Sequence, residues 1–278
     1  MFILFDIGGT KTRITASNGG DAFDTPRILD TPKNYEEGIA AVKNEITEIS
    51  RGNQIQKIAG GIAGPWDRSA NKLMASPNLP GWIGKPLQSD LENAFKTSVY
   101  IDNDSAVVGL GEAVFGSGKG ARIVAYITVS TGVGGARIVN GRMDEKAIGF
   151  EPGHQIVDFD KTVVPQAAGN TLEHYIGGRS VEERMGKKPQ EITDPEFWDL
   201  MAKILAVGLN NTILHWSPDV VVLGGSMMNK IGIQVEAVER HLTQNLKIFP
   251  RIPPIKKSVL GDLGGLYGVL AYLNSQNK

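Results

Sequence analysis

Asp6, Gly8, Gly9, Thr10 and Lys11 stand close together, and their types suit the chemistry of metal-bound phosphate. A carboxylate offers oxygen to a hydrated cation. Two adjacent glycines let backbone N–H groups approach an anion with no Cβ in the way, and a hydroxyl and an ammonium add donors. The same residues also make an ordinary hairpin turn, and the stretch alone does not separate the two readings. Ser130-Thr131-Gly132-Val133-Gly134-Gly135 repeats the combination more than a hundred residues later. Neither turn has the spacing of the Walker loop or of the dinucleotide fingerprint. Two such turns point to two related lobes serving one nucleotide. Asp102-Asn103-Asp104 sits where a strand gives way to a helix. There Asp104 is either a helix cap or a general base for an attacking hydroxyl. In a loose phosphoryl-transfer transition state that proton leaves late, so orientation matters more than basicity.

The elements that position these groups follow from hydrophobic period and turn chemistry. Phe2 to Phe5 is a short apolar run ending at Asp6 and the glycine pair, a buried strand that turns into a second strand over Lys11 to Thr15. Ile123 to Ser130 and Ala136 to Val139 make the same strand–turn–strand unit, closed at Asn140-Gly141. Asn34 with Glu37 marks a capped helix carrying Ile39, Val42, Ile46 and Ile49 inward to about Ser50. Lys57 to Ala63 is a buried strand, Ser89 to about Lys96 a helix, and Val99 to Ile101 a strand leading into a helix over Ser105 to Phe115. Asp194-Pro195-Glu196 opens a long helix to about Trp216. Val220 to Leu223 is a strand running into Gly224-Gly225-Ser226, Ile231 to Leu246 is amphipathic, and a last apolar helix runs to about Leu273.

Asp6-Ile7-Gly8-Gly9-Thr10-Lys11 and Ser130 to Gly135 resemble the two phosphate motifs of the actin, hexokinase and Hsp70 superfamily. Ile101-Asp102-Asn103-Asp104-Ser105-Ala106 and Gly149-Phe150-Glu151-Pro152-Gly153-His154 resemble the ROK family of bacterial sugar kinases and repressors. The four motifs fall in the expected order, and the resemblance covers Met1 to about Leu273. It implies an α/β chain with a two-lobed actin-like ATPase fold: ribonuclease-H-like lobes, with nucleotide and sugar in the interlobe cleft. Residues 1–102 with a C-terminal helix at 263–278 would form the small lobe, and 103–262 the large one. ATP would rest on Asp6, Gly8, Gly9, Thr10, Lys11, Thr131, Gly132, Gly134, Gly224 and Gly225, with Asp6 holding Mg2+ through water. The sugar would be read by Asn78, Asn103, Asp104, Glu151, His154 and Glu173, Asp104 being the base.

One departure stands out. The family's histidine also ligates a structural zinc with a cysteine cluster, but this chain contains no cysteine and reads FDKTVVPQAAGNTL at 159–172. A thiolate zinc site cannot form. The expectation is a zinc-free variant in which Pro165 and local packing hold that loop, with the placement of Glu173 open.

Composition narrows the classes. The chain has 278 residues, enough for one large or two modest domains, and a net charge of −1, with no nucleic-acid or membrane footprint. Met1 leads straight into a strand, without a leader or a membrane-length apolar run, so a cytoplasmic protein is expected. A repressor is disfavoured because the first phosphate motif begins at residue 6, leaving no room for a DNA-binding segment before it. A chaperone lobe is disfavoured by the sugar-reading set. The expected activity is ATP-dependent phosphorylation of a hexose at the 6-hydroxyl. Glucose is the first choice, an N-acetylhexosamine or fructose the next, and the expected assembly is a homodimer. The alternative is a non-catalytic sugar-binding regulator of the same family.

Overall fold

A computed structural model of the chain describes residues 1–146, 148–229 and 231–276. The chain divides into two compact units, Met1–Phe115 with Glu145–Gly149 and Leu260–Lys278, and Gly116–Asp144 with Phe150–Val259.

The first unit opens as a meander of β1 (Phe2–Ile7), β2 (Lys11–Ser17) and β3 (Arg27–Asp30), followed by α1 (Tyr35–Ser50) and β4 (Lys57–Ile62). A hairpin of β5 (Trp66–Asp67) and β6 (Lys72–Leu73) comes next, then α2 (Leu87–Phe95), β7 (Val99–Asn103) and α3 (Asp104–Val114). The sheet order is β3-β2-β1-β4-β7, with β1 antiparallel to β2 and parallel to β4, and β4 parallel to β7. That is the ribonuclease-H-like order. The capped start of α1 is where the sequence places it: the Asn34 side chain accepts from the Glu37 N–H at 3.1 Å. Its apolar face, Ile39, Val42 and Ile46, is buried with Ile3, Phe5 and Ile58 of the sheet. Trp82 joins this core, edge-on to Tyr35 at 5.3 Å, and its indole N–H donates to the Pro32 carbonyl at 2.9 Å. Gly38 makes room for the ring, because a methyl group there would lie 2.2 Å from it. Burying each such large side chain stabilises the unit by about 1.5–3 kcal/mol.

The second unit repeats the plan. β8 (Ile123–Val129), β9 (Val133–Val139) and β10 (Arg142–Met143) form its meander; α4 (Leu172–Ile176), α5 (Gly178–Met185) and α6 (Pro195–Trp216) follow, then β11 (Val220–Gly224), α7 (Val235–Asn245) and β12 (Ile255–Lys257). Its sheet order is β10-β9-β8-β11-β12, with β8 antiparallel to β9 and parallel to β11. The echo seen in the sequence at the two glycine turns thus extends to whole sheets. Asn140 and Gly141 both have positive φ, as a two-residue hairpin requires. The Asp194 carboxylate accepts from the Glu196 N–H at 2.9 Å, so α6 starts at Pro195 as the sequence indicates. His241 of α7 places Nε2 3.1 Å from both carboxylate oxygens of Asp199 in α6.

The last helix, α8 (Gly264–Ser275), completes the first unit. It corrects the domain boundary expected between residues 102 and 103: α3 belongs with the first unit, whose first segment ends at Phe115. The reason is close packing of α3 on α8 across glycines. A methyl group at Gly111 would lie 2.5 Å from the Gly264 carbonyl oxygen, and one at Gly268 would lie 1.7 Å from the Val107 carbonyl oxygen. Glu112 of α3, itself buried, accepts from the Leu260 N–H at 2.9 Å just before this helix. No described helix is long and apolar enough to cross a membrane.

Candidate active site

In the first unit the parallel pairing of β1, β4 and β7 aligns Asp6, Gly61 and Asp102 across the sheet. A methyl group at Gly61 would lie 3.5 Å from both Asp6 Oδ1 and Asp104 Cα, so this glycine separates the two acids. Asp6 also lies over the start of α8, where a methyl at Gly265 would meet its Oδ2 at 2.7 Å. Burial, then the charge of Asp104, push Asp6 up to about 7, against the pull of Arg13. Arg13 donates to Asp262 at 2.9 Å, a pair 249 residues apart with no local signature in the sequence. Among the described residues no group of three His, Cys, Asp or Glu is placed to hold a metal ion. The acids Asp6 and Asp104 nonetheless fit Mg2+, a hard cation bound through one or two carboxylates, water and substrate phosphates, since each carries oxygen donors and repels the other's charge.

The three polar residues at the end of β7 divide the work. Asp102 is 1% exposed, and its carboxylate accepts from Arg68, from the Tyr100 hydroxyl at 2.8 Å and from the Asn103 N–H at 2.8 Å, with Lys146 Nζ at 3.5 Å. Burial would raise this carboxyl, but Lys146 and Arg68 outweigh it and hold Asp102 below the usual carboxylate range. Asn103 is the cap of α3: its Oδ1 accepts from the Ala106 N–H at 3.1 Å, and its amide donates to the Gly64 carbonyl at 2.9 Å. Both ends of the expected sugar-reading amide are therefore engaged within the unit. Asp104, the first residue of α3, is relieved of capping; its Oδ1 accepts from the Ser105 N–H at 2.8 Å and the Asn103 amide at 3.2 Å. Of the cap and base readings open for Asp104, the structure gives the cap to its neighbour.

Asn78 is brought directly to the first glycine turn. A methyl at Gly9 would lie 2.4 Å from Asn78 Cβ, so the glycine there serves this close approach as well as any anion. Gly8 donates to the Lys11 carbonyl at 3.0 Å, closing the turn, while the exposed Thr10 accepts through its carbonyl from Thr31 N–H at 2.9 Å. Lys11 Nζ donates to Asp30 at 2.6 Å in an exposed ion pair. Such pairs are worth about 0–1 kcal/mol, so a polyphosphate would compete for this ammonium.

In the second unit, Ser130 N–H donates to the Gly132 carbonyl at 2.8 Å, and the Ser130 and Thr131 carbonyls accept from Gly178 and Arg179 N–H at 2.7 and 3.0 Å. The Gly224-Gly225-Ser226 turn packs on the same strand ends. Gly225 has φ +95°, a methyl there would lie 2.2 Å from the Val129 carbonyl oxygen, and the Ser226 and Ser130 hydroxyls are 3.1 Å apart. Gly134 pairs with Thr128 inside the β8–β9 ladder. Glu151 and His154 flank Pro152-Gly153, which packs on β9: a methyl at Gly153 would lie 2.0 Å from the Val133 carbonyl oxygen. Both side chains are exposed. Glu173 Oε2 accepts from the Val133 N–H at 2.7 Å, and a methyl at Gly132 would meet it at 2.4 Å. The expected sugar-reading glutamate thus lies over the expected phosphate turn.

The loop that leads to Glu173 is held differently from expectation. Pro165 is exposed; Val164 and Ala167 are buried instead. Asp158 is the hub, accepting from Val163 N–H at 2.7 Å, the Thr162 hydroxyl at 3.3 Å and the Tyr175 hydroxyl at 3.1 Å. These hydrogen bonds, the backbone bond first, hold its carboxyl below the usual range. Leu172 N–H donates to the Gln155 carbonyl at 3.0 Å, Ile156 bridges to Thr171, and Thr171 caps α4. A proline restricts only its own φ, whereas a carboxylate with several acceptor sites gathers donors from both sides of this loop.

The arrangement has relatives across its full length. An N-acetyl-D-glucosamine kinase of Escherichia coli O6:H1 is 29% identical over 297 residues, covering 96% of this chain and 97% of the relative. The ROK hexokinase of Thermus thermophilus superposes with a TM-score of 0.86 at 26% identity, covering 100% of this chain and 99% of that one. A ROK family glucokinase from Streptomyces griseus, in complex with glucose and AMPPNP, superposes at 0.79 with 22% identity and 99% coverage of both chains, a likeness of fold. The two units therefore have the actin-like ATPase fold that the sheet orders indicate. The ROK family model matches residues 3–276, taking in both glycine turns, the Asp102–Asp104 stretch and the Glu151–His154 segment. The chain belongs to the ROK family.

Proposed function

We propose that the protein is an ATP-dependent sugar kinase that phosphorylates a hexose at its 6-hydroxyl, with Asp104 as the base. The observation that carries this reading is the division of labour at the end of β7. Asn103 takes the cap and Asp102 the buried ion pairs, while Asp104 stands at the head of α3 across Gly61 from Asp6. A carboxylate freed from capping, beside a second acid raised to about 7, suits a group that orients a hydroxyl and accepts its proton. The hydroxyl oxygen forms the new bond to the γ-phosphorus, the bond to the β–γ bridging oxygen breaks, its proton passes to Asp104, and ADP leaves. Mg2+ bound with ATP supplies charge neutralisation on the phosphate oxygens. Asp6 would hold it through water. Gly8 to Thr10 and Thr131 to Gly134 would receive the phosphates, Gly224 and Gly225 the adenosine, and Asn78, Glu151, His154 and Glu173 the sugar. Glucose is the first sugar to try, and the likeness to an N-acetyl-D-glucosamine kinase supports trying N-acetylhexosamines next. The loop held by Asp158 supports a zinc-independent enzyme.

The test is ADP release with Mg-ATP against a panel of hexoses and N-acetylhexosamines, run beside Asp104→Asn. Turnover with one sugar that disappears in Asp104→Asn supports the reading. Saturable sugar binding without turnover would replace it with that of a sugar-binding regulator.

A further inference from the structure

Lys33 lies in the loop between β3 and α1, and no sequence motif marks it. Its ammonium donates to two backbone carbonyls at once, Gly9 at 2.5 Å and Asn78 at 2.9 Å. These belong to segments 69 positions apart, the first glycine turn and the proline-rich loop. Among the described residues no carboxylate pairs with this ammonium. Two of its three N–H donors in the structure are spent on joining the two loops. The surroundings show that the join is built. Just before Lys33, Thr31 N–H donates to the Thr10 carbonyl at 2.9 Å and the Trp82 indole donates to the Pro32 carbonyl at 2.9 Å. A methyl group at Gly81 would lie 2.3 Å from the carbonyl oxygen of Lys33 itself. The backbone of the lysine is pinned, so the side chain is a strut of fixed origin.

We propose that Lys33 is a positioning residue that ties the Asn78 loop to the Gly8–Thr10 turn, so that the sugar loop and the phosphate turn order and loosen together. The functional consequence rests on the sugar-kinase reading of those two segments; the mechanical link does not. A cation bound to a carbonyl is a charge-assisted hydrogen bond, stronger than its neutral counterpart. Two of them acting on opposite loops make disorder in one raise disorder in the other. Lys33→Met keeps the aliphatic stem and removes the donor. Lys33→Arg keeps a cation with donors enough for both carbonyls.

The experiment is amide hydrogen exchange on the full chain, without ligands, for wild type and both variants, followed by kinetics on each. In Lys33→Met, exchange should rise together in the segments holding Gly8 and Leu79–Trp82, by about tenfold, the equivalent of one lost charge-assisted bond. Exchange in α6 of the second unit should stay unchanged, and Lys33→Arg should restore both segments. The KM for sugar and for ATP should rise together by about five- to tenfold with kcat within about twofold, since positioning of the ground state is what is lost. Unchanged exchange, or a rise in one loop alone, overturns the proposal. So does a Lys33→Met enzyme with wild-type KM values. If exchange rises in both loops while the wild-type chain turns over no sugar, the link stands and the kinase reading falls.

Discussion

Gly9→Ala probes the contact on which the first half of the site depends. The added methyl would lie 2.4 Å from Asn78 Cβ and 3.2 Å from its Cγ. Carbon atoms rest at about 3.5–4.0 Å, so one of the two loops must retreat by at least about 1 Å. Neither is free to do so without loss. Gly9 is bracketed by the Gly8–Lys11 bond and by the Lys33 ammonium on its carbonyl. Asn78 is followed by the fully buried Leu79, whose N–H donates to the Ser76 hydroxyl at 3.1 Å. Overpacking of this kind costs about 1–3 kcal/mol where it is absorbed by the fold. A displacement of about 1 Å in a substrate-positioning group costs roughly a hundredfold in rate, or about 2.7 kcal/mol. The assay is kcat/KM for the preferred sugar, with sugar binding measured separately in the absence of nucleotide. The second measurement separates a displaced Asn78 from a blocked phosphate. Gly149→Ala is the control, because a methyl there meets nothing within 4 Å. If Gly9→Ala binds sugar and turns it over within about twofold of wild type, the turn and the Asn78 loop do not meet as described.

Asp6 is raised from 3.8 to about 7, so its protonated form is favoured by folding; stability is fully present below about pH 4 and is lost as pH rises through 7. Asp6→Asn should therefore melt higher than wild type above pH 7 and converge with it near pH 4, and Mg2+ should raise the wild-type melting temperature at pH 8 more than that of the variant. Equal pH profiles for the two proteins would remove Asp6 from this role. Asp104→Asn should lose about 100- to 10,000-fold in kcat with no fall in melting temperature, because the cap of α3 belongs to Asn103 and the charge that repels Asp6 is removed. Asn103→Ala should instead lose about 1 kcal/mol of stability by denaturant titration, the usual worth of a cap. A destabilised Asp104→Asn would mean that the cap assignment is reversed. Asp158→Asn should increase proteolytic cutting within residues 158–170 and weaken sugar binding through Glu173. Wild type should show the same loosening as pH falls through the lowered pKa of Asp158, since that carboxylate stabilises the loop only while ionised. A loop equally resistant in both proteins would place the staple elsewhere.

Much of the architecture was legible in the residues. Each glycine turn sits between apolar runs whose period sets the strands, and the caps at Asn34 and Asp194 rest on bonds within three residues, so sequence spacing was enough to find them. The second meander was legible as strands around its glycine turn, but the pairing that completes its sheet was not, because β11 and β12 carry no turn signal that ties them to β8. The boundary after Phe115 was hidden for a related reason. Sequence order groups α3 with the large lobe, yet it packs on a helix about 150 positions later, and only the glycines Gly111, Gly264 and Gly268 permit the approach.

The amino-acid sequence by itself determined the chemistry available: which stretches turn on glycine, which acids and amides stand at strand ends, and that no thiolate exists to hold a metal. Tertiary structure alone decided how those groups share the work. Asp102, Asn103 and Asp104 are consecutive and chemically alike, yet one is buried against Arg68 and Lys146, one caps a helix and one faces Asp6 across a glycine. Glu173 reaching Val133, Arg13 reaching Asp262 and Lys33 joining Gly9 to Asn78 have no local signature either. Spacing encodes the bonds a residue makes with its own turn or strand. Partners chosen across the fold depend on strand register and on the paths of long side chains, and those exist only once the chain has packed.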